Sequence, residues 1–206
     1  MKTNIKIPTQ LTTHKLEKIA FFGSADIAVD HPLYQEVYEI AQQVAKMGKV
    51  VVNGGGPGVM QAATQGAIAA GGKSVVITFQ PKNMPQFEGR NKDNQATTEI
   101  TTAGCIERTL GLICYADLFI CFKGGTGTLS EWTTAWLMAH LHAGQHKPLI
   151  LYGEFWHEVM AVISKNFFIG ELEKKVYQIV TNQAELFQAV KDYEQELTAR
   201  KEVAKT

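Results

Sequence analysis

Leu118-Phe119-Ile120-Cys121-Phe122-Lys123-Gly124-Gly125-Thr126-Gly127-Thr128 carries an unbroken apolar segment into a glycine-rich turn, with Glu131 three residues beyond. A segment apolar at every position reads as a strand covered on both faces, as in a parallel sheet. The same layout recurs twice upstream. Residues 18–22 run into Phe22-Gly23-Ser24, and Val50-Val51-Val52 runs into Asn53-Gly54-Gly55-Gly56-Pro57-Gly58. In each case a helical pattern follows the turn.

Working outward, strands and helices alternate. Pro32 opens a helix with Val37, Ile40, Ala41, Val44 and Met47 at helical spacing, closed by Gly48. An alanine-rich helix over 59–70 stops at Gly71-Gly72, and 74–78 is a third strand. Residues 80–95 are polar, contain two prolines and show no period, which predicts a long loop of the kind that is often functional. Further strands are expected at 97–102, 148–152 and 176–180, and further helices at 104–115, 129–143, 155–166 and 184–199. The reading is an α/β fold: a single-domain, Rossmann-like, doubly wound parallel sheet with helices on both faces, spanning 18–200. Residues 1–17 read as a flexible tail and 201–206 as a charged one.

Composition narrows the function. The chain has 206 residues, enough to bury the core of one α/β domain. Twenty basic residues balance twenty acidic ones, so no global field favours nucleic acid or an anionic membrane. No apolar run approaches the roughly 20 residues of a membrane span, and the polar N-terminus lacks a signal peptide's apolar stretch. A cytoplasmic protein is expected. Cys105, Cys114 and Cys121 form neither a disulfide framework nor a metal-ligand spacing, and Cys121 reads as a small buried hydrophobe.

Parallel strands place all their carboxyl ends on one edge, so the three glycine turns should meet where doubly wound folds bind ligands. Glycines let a ligand approach the backbone closely. Consecutive amides make an anion nest, and the helix that follows presents its positive end. Ser24, Thr126 and Thr128 add hydroxyl donors. This chemistry selects phosphate. Neither loop has the GxGxxG spacing, which disfavours a dinucleotide, and no GxxxxGK[ST] exists. Glu131, in the first turn of its helix, is either a dipole-complementing carboxylate or a group facing the ligand. Arg108 lies near the start of a helix, where a cation opposes the dipole unless an anion or Glu131 compensates; the alternative is a surface arginine paired with some other acid. Trp132, Trp136 and Leu137 belong either to the core or to a subunit interface.

These motifs resemble the lonely-guy (LOG) family of cytokinin-type phosphoribohydrolases, once called putative lysine decarboxylases. The family's GGGxxGxM loop is similar to Gly54-Gly55-Gly56-Pro57-Gly58-Val59-Met60, one residue shorter. Its PGGxGTxxE is similar to Lys123-Gly124-Gly125-Thr126-Gly127-Thr128-Leu129-Ser130-Glu131. The likeness extends over about 18–180. It implies hydrolysis of the N-glycosidic bond of a nucleoside 5′-monophosphate to free base and ribose 5-phosphate. It also implies a homodimer; no metal or cofactor is expected from the residues themselves. By the resemblance, Arg108 and Glu131 are catalytic, while Ser24, Gly55, Gly56, Gly58, Met60, Gly124, Gly125, Thr126, Gly127 and Thr128 line the nucleotide and its phosphate. The family's HERK stands here as Ile106-Glu107-Arg108-Thr109, its PGG proline is Lys123, and the 80–95 loop is longer than in typical members. Molybdenum-cofactor carrier proteins resemble the same fold, which leaves a binding function without chemistry as the alternative.

Overall fold

The computed structural model describes residues 15–85, 87 and 89–203. Seven strands form one parallel sheet in the order β4-β3-β2-β1-β5-β6-β7. The strands are β1 (Lys18–Phe22), β2 (Val50–Asn53), β3 (Lys73–Phe79), β4 (Thr98–Thr102), β5 (Leu118–Cys121), β6 (Leu149–Tyr152) and β7 (Tyr177–Val180). The helices are α1 (Pro32–Lys46), α2 (Val59–Ala69), α3 (Cys105–Tyr115), α4 (Thr126–Leu141), α5 (Phe155–Asn166), α6 (Glu171–Lys174) and α7 (Gln183–Val203).

The fold follows from alternation along strands with no polar face. In β1, Ile19 and Phe21 point into the layer formed with α1, α2 and α7. Ala20 and Phe22 point into the opposite layer with α3, α4 and α5. Successive side chains of a strand face opposite ways, so a strand apolar throughout must be covered twice. Both layers are sealed by aromatics: Phe21 stacks on Phe122 at 5.8 Å in one, and Phe22 on Phe119 at 5.8 Å in the other.

Among the described residues, the connection from β3 to β4 uses no helix. Parallel neighbours need a crossover of about a dozen residues, and the irregular segment after Phe79 supplies it. That is the physical reason for the long loop read at 80–95. The structure differs from the sequence reading in several places. The helix expected at 129–143 begins at Thr126, inside the glycine turn, because glycine and threonine there adopt helical geometry at once. The short α6 was not anticipated. The expected tail 1–17 lies mostly outside the described residues, but Leu16 is buried in the core. The amides of Glu17 and Lys18 both donate to Asp117 Oδ2, at 3.0 and 2.9 Å, which ties this end to the start of β5. Of the 201–206 tail, 201–203 continue α7 and 204–206 lie outside the described residues. Among the described residues no helix is long and apolar enough to cross a membrane.

Candidate functional site at the sheet switch point

Connections run outward from β1 in one direction through β2, β3 and β4, and from β5 in the other through β6 and β7. The strand order reverses between β1 and β5, and the carboxyl ends there open a crevice. Its volume is about 420 Å³, and Gly23, Ala25, Asp26, Met60, Pro85, Phe87, Arg108, Gly125, Thr126, Gly127, Thr128 and Glu131 line it.

Ser24 stitches the rim together. Its amide donates to the Lys123 carbonyl at 3.0 Å, and its carbonyl accepts from the Val59 amide at 2.9 Å. Its hydroxyl accepts from the Asp26 amide at 3.0 Å. One residue thus joins the β1 turn to the end of β5 and the start of α2. Gly124 packs against the same point, where an added Cβ would lie 2.2 Å from Thr128 Oγ1 and 2.9 Å from Ser24 N. The turn is therefore drawn tight, and Gly125 to Thr128 face the crevice.

No side chain caps the N-terminus of α4 at Gly125. First-turn amides that lack such a partner carry the positive end of the helix dipole and bind anions. Lys123 to Gly127 are exposed while Thr128 is buried, so the nest opens outward from a fixed base.

Arg108 and Glu131 meet beneath this nest. Arg108 Nη1 lies 3.7 Å from Glu131 Oε1, with both side chains nearly inaccessible at 7% and 10% exposure. Arg108 sits in the first turns of α3, against the dipole, and the carboxylate from α4 supplies the compensating charge. Two further contacts hold the guanidinium: Nη2 approaches Met60 Sδ at 3.6 Å, and the Phe87 ring centroid lies 5.8 Å from its Cζ. Its buried Nε makes no hydrogen bond. The arginine reaches this position because residue 54 has no side chain: a Cβ on Gly54 would lie 1.7 Å from Nη2.

The expected binding residues divide. Met60, Arg108, Gly125, Thr126, Gly127, Thr128 and Glu131 converge on the crevice, whereas Ser24, Gly55, Gly56, Gly58 and Gly124 do not line it. The first glycine loop is buried because the β3–β4 crossover folds over it. The Gly55 amide is taken by Asn53 Oδ1 at 2.8 Å, and the Gly56 amide faces Met60 Sδ at 3.4 Å. Asn91 donates its amide to the Gly55 carbonyl at 3.0 Å, and Asn94 Nδ2 donates to the Gly56 carbonyl at 2.9 Å. The expectation that both loops offer amides to one phosphoryl group is therefore corrected. The α4 loop faces the crevice, while the β2 loop makes room for Arg108 and delivers Met60.

Gly23, from the β1 turn expected at this edge, also lines the crevice, and so do Ala25, Asp26, Pro85 and Phe87, which sequence reasoning did not pick as ligand contacts. The flagged long loop was the available signal for the last two. Cys121 is fully buried, and burial followed by the nearby Glu131 charge pushes its thiol well above the usual range, which fits an inert core residue. The described residues hold no group of three or more His, Cys, Asp or Glu able to bind a metal ion.

A curated Archaeoglobus fulgidus protein of uncharacterised function is 29% identical over 139 residues, covering 68% of this chain and 86% of that one. The X-ray structure of TM1055, a structural-genomics target, superimposes with a TM-score of 0.66 at 22% identity, covering 86% of this chain and 99% of that one. The molybdenum cofactor carrier protein of Chlamydomonas reinhardtii gives 0.62 at 21% identity, covering 86% and 98%. These structures share the fold. The model of the SLOG cluster4 family matches residues 16–197, nearly the whole chain, and the protein belongs to that family.

Proposed function

We propose that this protein hydrolyses the N-glycosidic bond of a nucleoside 5′-monophosphate, releasing free base and ribose 5-phosphate. The observation that carries the reading is the buried Arg108–Glu131 pair, 3.7 Å apart, on a crevice that also presents the uncapped start of α4. The phosphate rests on the Gly125–Thr128 amides, which orients the ribose toward Glu131. Cleavage builds positive charge on the anomeric carbon. A fixed, largely buried carboxylate stabilises that charge and holds the attacking water. Arg108 sets an opposite charge 3.7 Å from the Glu131 carboxylate and so fixes its place beside the ribose.

Incubation with AMP, GMP, CMP and isopentenyl-AMP, followed by chromatography for free base, tests the activity. Base release from at least one substrate supports the reading, and release from none overturns it. A second reading, binding without chemistry, draws on one feature. Where the resembled motif has histidine and lysine, this chain has Ile106 and Thr109. Monophosphate binding without base release would favour it.

In the same reading the protein is a cytoplasmic homodimer. The exposed Leu137 and Phe167, on an apolar groove of about 300 Å³ along α4 to α6, support the dimer. Trp132 and Trp136 are buried there while Leu137 is exposed. Light scattering at micromolar concentration should give twice the chain mass; the mass of one chain contradicts it.

A further inference from the structure

Most aromatic pairs of the described residues lie within one or the other of the two core layers. Phe79–Phe87 stands outside both. The rings lie 4.6 Å apart, tilted by 39°, with Phe79 buried at the end of β3 and Phe87 half-buried on the crevice wall. Phe87 belongs to the β3–β4 crossover, and that crossover is fastened. The Phe87 amide donates to the Met84 carbonyl at 3.1 Å. Arg90 Nε bonds Glu99 Oε2 at 3.1 Å, and its Nη1 reaches the Gly55 carbonyl at 3.3 Å. Asn91 Nδ2 donates to Gln61 Oε1 at 2.7 Å. The crossover is thus pinned at several points, and one of its aromatic rings lies against a cavity rather than in a core.

The crevice is chemically graded. Gly125 to Thr128 offer amides, Arg108 and Glu131 offer paired charge, and Pro85 with Phe87 offers an apolar wall. We infer that Phe87 is the specificity-determining residue of this site, selecting ligands by stacking on a planar ring whose phosphate occupies the α4 nest. The inference rests on the nucleotide reading above and adds the element that recognises the base. Base stacking on an aromatic side chain tolerates differences in hydrogen-bonding edges. The site therefore selects for a flat ring first and for ring substituents second.

Isothermal titration of the full-length protein with AMP and, separately, ribose 5-phosphate tests this. The wild type should bind AMP at least tenfold more tightly. Phe87→Leu keeps an apolar contact for Phe79 but removes the aromatic face, along with the ring that Arg108 Cζ approaches at 5.8 Å. It should weaken AMP about tenfold while leaving ribose 5-phosphate within twofold, and Phe87→Trp should restore AMP affinity. Equal wild-type affinity for the two ligands overturns the inference, as does a parallel loss of both in Phe87→Leu. AMP binding that depends on Phe87 without any base release leaves the inference standing and removes the hydrolase reading. Ribose 5-phosphate binding with AMP no tighter does the reverse.

Discussion

Replacing Gly54 with alanine perturbs the candidate site through a single atom. Gly54 does not occupy the left-handed region, so its backbone accepts alanine without strain. The added Cβ, however, would lie 1.7 Å from Arg108 Nη2 and 2.5 Å from its Cζ. Ordinary contact requires the guanidinium to recede by about 2 Å. The Arg108–Glu131 separation then grows from 3.7 Å to about 5.5 Å. At an effective dielectric of about 20 the attraction falls by roughly 1.5 kcal/mol, or about tenfold in rate if the pair acts in the transition state. The assay is kcat/KM for base release from a nucleoside monophosphate, with thermal melting to confirm folding. Gly104→Ala is the control, since a Cβ there meets nothing within 4 Å. A roughly tenfold loss in Gly54→Ala, with the control near wild type, is the expected result. Gly54→Ala within twofold of wild type would refute the claim that the empty side chain at 54 sets the arginine.

Lys147 Nζ donates to the carbonyls of Ile113, Cys114 and Ala116 at 2.9, 2.9 and 2.6 Å, closing the C-terminus of α3. Lys147→Met should cost about 3 kcal/mol in urea denaturation by leaving those acceptors without a donor. His146 is buried, and burial, then nearby Arg200, pulls its pKa below the usual value, with Glu196 opposing. Below about pH 6.5 the unfolded chain binds a proton that the folded one refuses, so stability should fall on acidification from that pH; His146→Gln should flatten this part of a melting-temperature profile. Ribose 5-phosphate at 100 times its Kd should stabilise the protein by about 2.7 kcal/mol, a rise of about 5–10 °C in melting temperature. No rise would argue against the phosphate nest.

The sheet was legible because its strands are apolar at every position, and only a doubly covered parallel sheet accommodates Leu118 to Cys121 or Ile19 to Phe22 without a solvent face. Arg108 and Glu131 were legible as a pair because a cation near a helix start demands compensation, and the compensating carboxylate lies at 3.7 Å. Two features were not legible. The β2 loop has the denser glycine run, yet its Gly55 and Gly56 amides are satisfied locally by Asn53 and Met60. Glycine content reports backbone freedom, and what covers a loop depends on long-range packing by Asn91 and Asn94. Phe87 was hidden for the same reason, since a lone aromatic in an aperiodic polar stretch gives no sign of facing a cavity until Phe79 and Arg108 are placed around it.

Single-turnover base release from AMP by wild type and Glu131→Gln tests the central claim most directly. The wild type should release adenine, and Glu131→Gln should bind AMP with similar affinity yet release base at least a hundredfold more slowly. Release by Glu131→Gln at the wild-type rate would contradict the account.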